Sequence, residues 1–303
     1  MTAADTAEST RRNIILTADN LDASSYLLDE IAVGRLARPQ LVYMDPPFYT
    51  KRNYTVKTPP GFPQPDGCFV SGEAPGARAF SDATGGQPFG SYLEGLAARI
   101  RAARDLLDIS GSLWIHLDHH AVHYAKVIAD GIFGGPDYLM NEVIWQYKSG
   151  GSTKKRFARK HDTLLFYAKD PKRHKFFPLT EKSYNRNLKP YRFKGVKEYR
   201  DEGGWYTVVN MKDVWPIDMV GRTSRERTGY ATQKPVALLS RIIESCTEKG
   251  DLCVDLYGGS GSMAAAAEAL KRQWVSIDEN PLATEVTKKR LAARGATFTV
   301  EER

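Results

Sequence analysis

The stretch DLYGGSGS, residues 255–262, closes the apolar run LCV (252–254) and opens MAAAAEALKR (263–272), a segment of strong helix formers. A second buried-type run, WVSIDE (274–279), follows at once. Strand, glycine turn, helix, strand in this order is a βαβ unit of a doubly wound parallel sheet. The glycines let the backbone turn tightly and come close to a ligand. Asp278 and Glu279 end the next strand, where a carboxylate can hold ribose hydroxyls. The GxGxxG spacing is not met, because Ala264 stands in the third place. The turn alone therefore serves a dinucleotide, another adenosine-bearing ligand or no ligand at all.

Upstream of this unit, Pro235 starts a helix carrying Leu239, Ile242, Ile243 and Cys246 at helical spacing, with Gly250 as its stop. NIILT (13–17) predicts a strand, and Tyr26, Leu27, Leu28 and Ile31 the helix after it. LVYMD (41–45) is continuously apolar until Asp45, as expected of a strand buried on both faces. Residues 51–90 are rich in Gly and Pro and predict a long functional or mobile loop. A helix is expected over 91–107, a strand at SLWIHLD (112–118), and a helix through Val122, Lys126 and Ile128 capped by Asp118. NEVIWQY (141–147) and DTLLFYAK (162–169) predict two more strands. The basic, aromatic-laced segment 173–206 is expected to be irregular and outside the sheet. The whole predicts an α/β fold: a Rossmann-like, mostly parallel, doubly wound sheet with a small insertion.

The 303 residues are 42% hydrophobic and 26% charged, the balance of a globular protein, with no apolar run of membrane-spanning length. The polar start MTAADTAESTRRN lacks the apolar core of a signal peptide. Three cysteines without CxxC spacing suit reduced thiols and a cytoplasmic protein. A formal charge of +7 favours a polyanionic partner.

The most unusual local chemistry is Asp45-Pro46-Pro47-Phe48 at a strand end. Neither proline has an N–H, and both fix φ. The Asp45 carboxylate and the Pro46 carbonyl are thereby left as rigid acceptors beside an aromatic face. Two acceptors and a ring suit a planar aromatic amine; the bland alternative is a stiffened strand exit with Asp45 as a cap.

DPPF, the HDTLLFYAKD strand, TGYATQKPVALLSRII and the DLYGGSGS turn, in this order, resemble the β group of amino-methylating DNA methyltransferases. The resemblance runs from about Asn13 to the last helix, with gaps at the Pro/Gly loop and at 173–206. In that group the catalytic motif precedes the cofactor turn, as if the sheet were circularly permuted, and the order here matches. The resemblance implies S-adenosylmethionine as cofactor and double-stranded DNA as partner. It implies a catalytic half at 13–170, a target-recognition region at 171–230 and a cofactor-binding half at 231–295. Asp45 and Pro46, stiffened by Pro47, would hold the target amine, and Phe48 would stack on the flipped base. Asp19, Asp45, Gln233, Lys234, Pro235, Asp255, Tyr257, Gly258, Gly259, Ser260, Gly261, Ser262, Asp278 and Glu279 would surround the cofactor. The chain departs from the pattern at Leu256 and Tyr257, at Ser262 for threonine, at Phe48 for tyrosine and at Tyr49 for asparagine.

Adenine N6 is the expected target, because the cytosine-N4 subgroup more often has serine where Asp45 stands. Lys154, Lys155, Arg156, Arg159 and Lys160 form the densest basic cluster and predict phosphate contacts. His116, His119, His120 and His123 straddle a strand end and share no helical face, so no metal is expected. Members of the group are often dimers, and some accompany a cognate restriction enzyme; no residue here specifies either. The rivals are N4-cytosine methylation, an RNA substrate, a non-catalytic DNA-binding module on the same fold, and a nicotinamide-dependent oxidoreductase. The last explains neither DPPF nor the basic charge.

Overall fold

A computed structural model describes residues 13–50, 53–55, 78–81, 88–148 and 154–303. Most of the predicted loop at 51–90 lies outside the described residues. Its described parts are two short strands, β3 (Asn53–Thr55) and β4 (Arg78–Ser81), paired antiparallel, and Pro88 to Gly90, where a helix already begins.

The core is a nine-stranded sheet in the order β11-β6-β7-β5-β2-β12-β13-β1-β14. Its strands are β1 (Ile14–Thr17), β2 (Leu41–Met44), β5 (Ser112–Leu117), β6 (Leu139–Gln146), β7 (His161–Ala168), β11 (Val214–Pro216), β12 (Leu252–Asp255), β13 (Gln273–Asp278) and β14 (Thr299–Glu302). All neighbours pair parallel except β7, which is antiparallel to both β5 and β6. The continuous apolar runs have the expected cause: β2, β5 and β12 are buried at every position, covered on both faces.

On one face lie α1 (Asn20–Ala32), α2 (Phe89–Leu106) and α3 (Val122–Phe133), whose Leu27, Ile100 and Ala125 join Val42, Ile115 and Val254 in one core. On the other lie α4 (Val236–Cys246) and α5 (Ser262–Ala269), where Leu239 and Ile242 pack with Trp114, Trp145 and Trp274. Ala264, Ala265, Ala266 and Ala267 are fully buried, so α5 seats closely on the sheet. The last helix, α6 (Pro281–Ala292), starts with proline at its first turn.

Three expectations need correction. Asp118 does not cap α3 directly. Its side chain accepts from the His120 N–H at 2.9 Å, ahead of the helix, and Ala121 is the cap residue. Residues 173–206 do leave the main sheet, but they are not irregular. Within them and just beyond, β8 (Thr180–Tyr184), β9 (Tyr199–Asp201) and β10 (Gly204–Asn210) form an antiparallel sheet ordered β8-β10-β9. Strand β14, unforeseen, pairs with β1 at the sheet edge.

Candidate active site

Strands β2, β12, β13 and β1 run side by side in one direction, so their carboxyl ends deliver Asp45, Asp255, Asp278 and Asp19 to a single crevice. A cavity of about 400 Å³ opens there. It is lined by Asp19, Asp45, Pro46, Pro47, Phe48, Gln233, Lys234, Asp255, Tyr257, Gly258, Gly259, Ser260, Ser262, Asp278 and Glu279. Thus most of the sequence-derived candidates converge. Pro235 and Gly261 do not line the cavity; Pro235 caps α4, and Gly261 stands at the head of α5.

The glycine turn has steric reasons. A Cβ on Gly258 would lie 2.3 Å from Ser276 Oγ, and one on Gly261 would lie 2.7 Å from Thr287 Oγ1. Gly261 also has φ +68°, a left-handed conformation. The Gly259 N–H donates to Asp278 Oδ2 at 2.8 Å, and the Tyr257 N–H donates to Asp255 Oδ1 at 3.0 Å. Burial nonetheless pushes the Asp255 carboxyl up to about 8 and the Asp278 carboxyl up to about 6. Two buried carboxyls that are reluctant to ionise fit a ligand that brings positive charge and hydroxyl donors.

Asp45 is gripped from one side. Lys234 places its ammonium on Asp45 Oδ2 and lies over the Phe48 ring, 5.2 Å from its centroid. Asp45 Oδ1 is buried and has no hydrogen-bond partner among the described residues. The Pro47 carbonyl accepts from the Tyr92 hydroxyl at 2.8 Å, which ties the motif to α2. Asp45, Pro46, Pro47 and Phe48 thus line the cavity together.

Sequence reasoning missed four parts of this wall. Arg99 on α2 bonds Asp19 Oδ2 at 2.9 Å and Asn20 Oδ1 at 2.6 Å, holding the end of β1. Tyr230 is buried against the glycine turn, and a Cβ on Gly259 would stand 3.4 Å from its ring. His116 and Asp162 lie buried behind Asp45. The signal for Arg99 was present, as an arginine among the apolar positions of a helix. Gln233 spends its side chain on its own loop, accepting from Thr228 and donating to the Glu226 carbonyl at 2.7 Å.

The basic cluster sits between β6 and β7, so it emerges at the same end of the strands as Asp45. Lys154, Lys155, Arg156 and Arg159 are exposed and Lys160 is half-buried. Arg156 and Arg159 are near enough to His119 to help lower its pKa, after burial, the largest cause. Asp118, His119 and His120 could offer ligand atoms within 4.8 Å of one another, at an exposed position. The small sheet is aromatic and basic outside: Lys182 lies 4.7 Å over the Tyr206 ring, which stacks 5.6 Å from Tyr199. Among the described residues no helix is long and apolar enough to cross a membrane.

A family model described as DNA methylase, covering N6 and N4 methylation, matches residues 40–289. The Type II methyltransferase M.EcaI of Enterobacter cloacae is 25% identical over 338 residues, covering 92% of this chain and 69% of the relative. M.HpaI of Haemophilus parainfluenzae is 26% identical over 71% of this chain and 64% of its own length. The chain spans about two-thirds of the length of these relatives. Among solved structures, the M1.HpyAVI–SAM complex aligns with a TM-score of 0.54 at 17% identity, over 92% of this chain and 98% of the other. The PvuII DNA methyltransferase (cytosine-N4-specific) aligns with a TM-score of 0.58 at 13% identity, over 96% of each chain. At such identities the likeness is one of fold.

Proposed function

The chain belongs to the N6/N4 DNA methylase family, whose methyl donor is S-adenosylmethionine, and on that premise we propose that it methylates N6 of an adenine flipped out of double-stranded DNA. The observation that carries the proposal is the free, buried Oδ1 of Asp45 beside Phe48, in a cavity that also reaches Asp255 and Asp278.

When bound, the cofactor supplies an electrophilic methyl group on a sulfonium. Asp255 would face its methionine end, Asp278 its ribose, and Asp19 with Arg99 the adenine end. The exocyclic amine of adenine is a poor nucleophile, because its lone pair is delocalised into the ring. Asp45 Oδ1 and the Pro46 carbonyl would accept its two hydrogens, favouring a pyramidal nitrogen whose lone pair faces the methyl. Phe48 would fix the plane of the base. Alignment of this kind can lower the barrier by as much as ~7–11 kcal/mol. The nitrogen becomes positive as it reacts, so the carboxylate stabilises the transition state more than the ground state. Flipping costs about a few kcal/mol, which phosphate contacts from Lys154, Lys155, Arg156, Arg159 and Lys160 would offset.

We assign 13–170 to the catalytic half, 171–230 with its aromatic sheet to target recognition and 231–295 to the cofactor half. Asp45 in place of serine favours adenine over cytosine. The named relatives are Type II methyltransferases, which makes a cognate restriction enzyme the expected companion. The buried free thiols of Cys246 and Cys253 suit a cytoplasmic protein.

Nucleoside mass spectrometry of unmethylated duplex DNA after incubation with protein and S-adenosylmethionine tests the assignment. N6-methyladenine is expected. N4-methylcytosine would keep the mechanism and move the base, whereas no product despite cofactor and DNA binding would leave a non-catalytic binding module.

A further inference from the structure

Behind Asp45 lies a buried polar cluster that amine binding and methyl transfer leave unused, and any role for it rests on that reading of the site. His116 is without solvent exposure, and its Nδ1 lies 3.9 Å from Asp45 Oδ1, the oxygen that Lys234 leaves free. His116 Nε2 lies 3.3 Å from Asp162 Oδ2, and Asp162 Oδ1 accepts from the Tyr147 hydroxyl at 3.0 Å. Nδ1 lies 2.8 Å from the Tyr43 hydroxyl. The neutral rings of Phe48 and Trp145 close the remaining sides, at 5.8 and 5.4 Å between centroids.

The charge of Asp162 sets the hydrogen position on the ring nitrogen that faces it. Burial pushes Asp162 toward the neutral acid, but the hydrogen bond and charge interaction with His116, the nearby Lys234 charge and the hydrogen bond from Tyr147 outweigh it and hold the carboxyl below its usual range. An ionised carboxylate only accepts, so Nε2 carries the hydrogen. In the neutral imidazole Nδ1 is then the acceptor, filled by the Tyr43 O–H, which burial keeps a phenol.

We propose that His116, backed by Asp162, is the final acceptor of the proton that the methylated amine gives up. The amine lone pair forms the new N–C bond while the bond from that carbon to the departing sulfur breaks. The nitrogen is left with a positive charge and a surplus proton. That proton passes to Asp45 Oδ1 and then to His116 Nδ1, and the Tyr43 hydroxyl turns from donor to acceptor. Asp45 returns to carboxylate, and the methylated base leaves neutral.

Charge pairing gives the direction. A proton resting on Asp45 would strand the ammonium of Lys234, whose side chain is only 10% exposed. A proton on His116 makes an imidazolium against Asp162 and leaves Lys234 paired with Asp45. The charged and titratable groups facing His116 are Asp45 and Tyr43 from β2 and its exit and Asp162 from β7. Tyr147 and Lys234 act through those two carboxylates.

The test is single-turnover methyl transfer by the full chain on duplex DNA, across about pH 5.5–9, with cofactor affinity measured alongside. His116 must be neutral to accept, so wild type should slow on the acid side. His116→Gln should bind cofactor within about twofold of wild type, react about tenfold or more slowly and lose that acid limb. Asp162→Asn keeps the imidazole but removes its counter-charge, so its acid limb should move to lower pH. His116→Gln with wild-type rate and acid limb would reduce His116 to a core histidine and overturn the proposal. Should that variant fail to bind cofactor, Asp162→Asn decides, and an unmoved acid limb is fatal. A wild-type protein that methylates no base defeats the underlying function instead.

Discussion

Lys234 and Asp45 form an ion pair across 189 positions of chain, joining the TQKP segment to the DPPF motif. The same lysine's carbonyl accepts from Ser262 Oγ at 2.8 Å, in the turn that opens α5. One residue thus ties Asp45, the proposed amine-binding carboxylate, to the proposed cofactor turn, and it leaves Asp45 Oδ1 without a hydrogen bond among the described residues.

Asp45→Asn keeps the shape and loses the charge. Methyl transfer should fall by about 10²–10³-fold, with cofactor affinity nearly unchanged. Transfer assays beside calorimetric binding check this, and retained activity would remove Asp45 from the chemistry. Asp45→Ala should be no more active, but it also strands the buried Lys234 ammonium, so a lower melting temperature is expected of it.

Asp255 and Asp278 make the ligand-free protein sensitive to pH. Burial raises both folded pKa values above the unfolded carboxyl value, to about 8 and about 6. Their stabilising contribution is therefore complete below about pH 4. It is lost as pH rises through about 6 for Asp278 and about 8 for Asp255. Denaturation series from pH 5 to 8 should show stability declining, and less steeply in Asp255→Asn. A cationic cofactor favours the ionised form, so binding at neutral pH should release protons, seen as a buffer-dependent calorimetric enthalpy. Equal enthalpies in all buffers would place the cofactor's charge away from these carboxyls.

Lys154→Ala with Lys155→Ala should weaken DNA binding and reduce the slope of log affinity against log salt by about 2. An unchanged slope would put the cluster off the DNA path, although it lies at the same end of the strands as Asp45.

Gly261→Ala forces an L side chain into a left-handed backbone, at about 1–2 kcal/mol, and presses its Cβ on Thr287. A lower melting temperature and weaker cofactor binding are expected. No change in either would mean that the turn relaxes freely.

The parallel core was legible because strands buried on both faces leave continuous apolar runs, as in LVYM and LCVD. The crevice followed, since both motifs end such strands. What escaped depends on tertiary contact. β8, TEKSY, and β9, YRD, are too polar and exposed to announce a sheet, whereas β10, GWYTVVN, carries strand-forming residues that could have been read. β14, TVEE, is an edge strand whose apolar content is a single valine. His116 and Asp162 are 46 residues apart and meet only because β5 and β7 pair antiparallel. No local pattern records that.

The pairing of β2 with β12 sets Leu41 beside Cys253, so the middle of the sheet is closed by residues made more than two hundred positions apart. A ribosome extruding this chain releases Asp45 well before Asp255 and Asp278. Until then β2 has one neighbour in β5 and one bare edge, a template for wrong partners. A product terminated between β11 and β12 therefore keeps Asp45 but has neither Asp255 nor Asp278. On the proposed reading, methylation has to wait until both of these carboxyls have emerged.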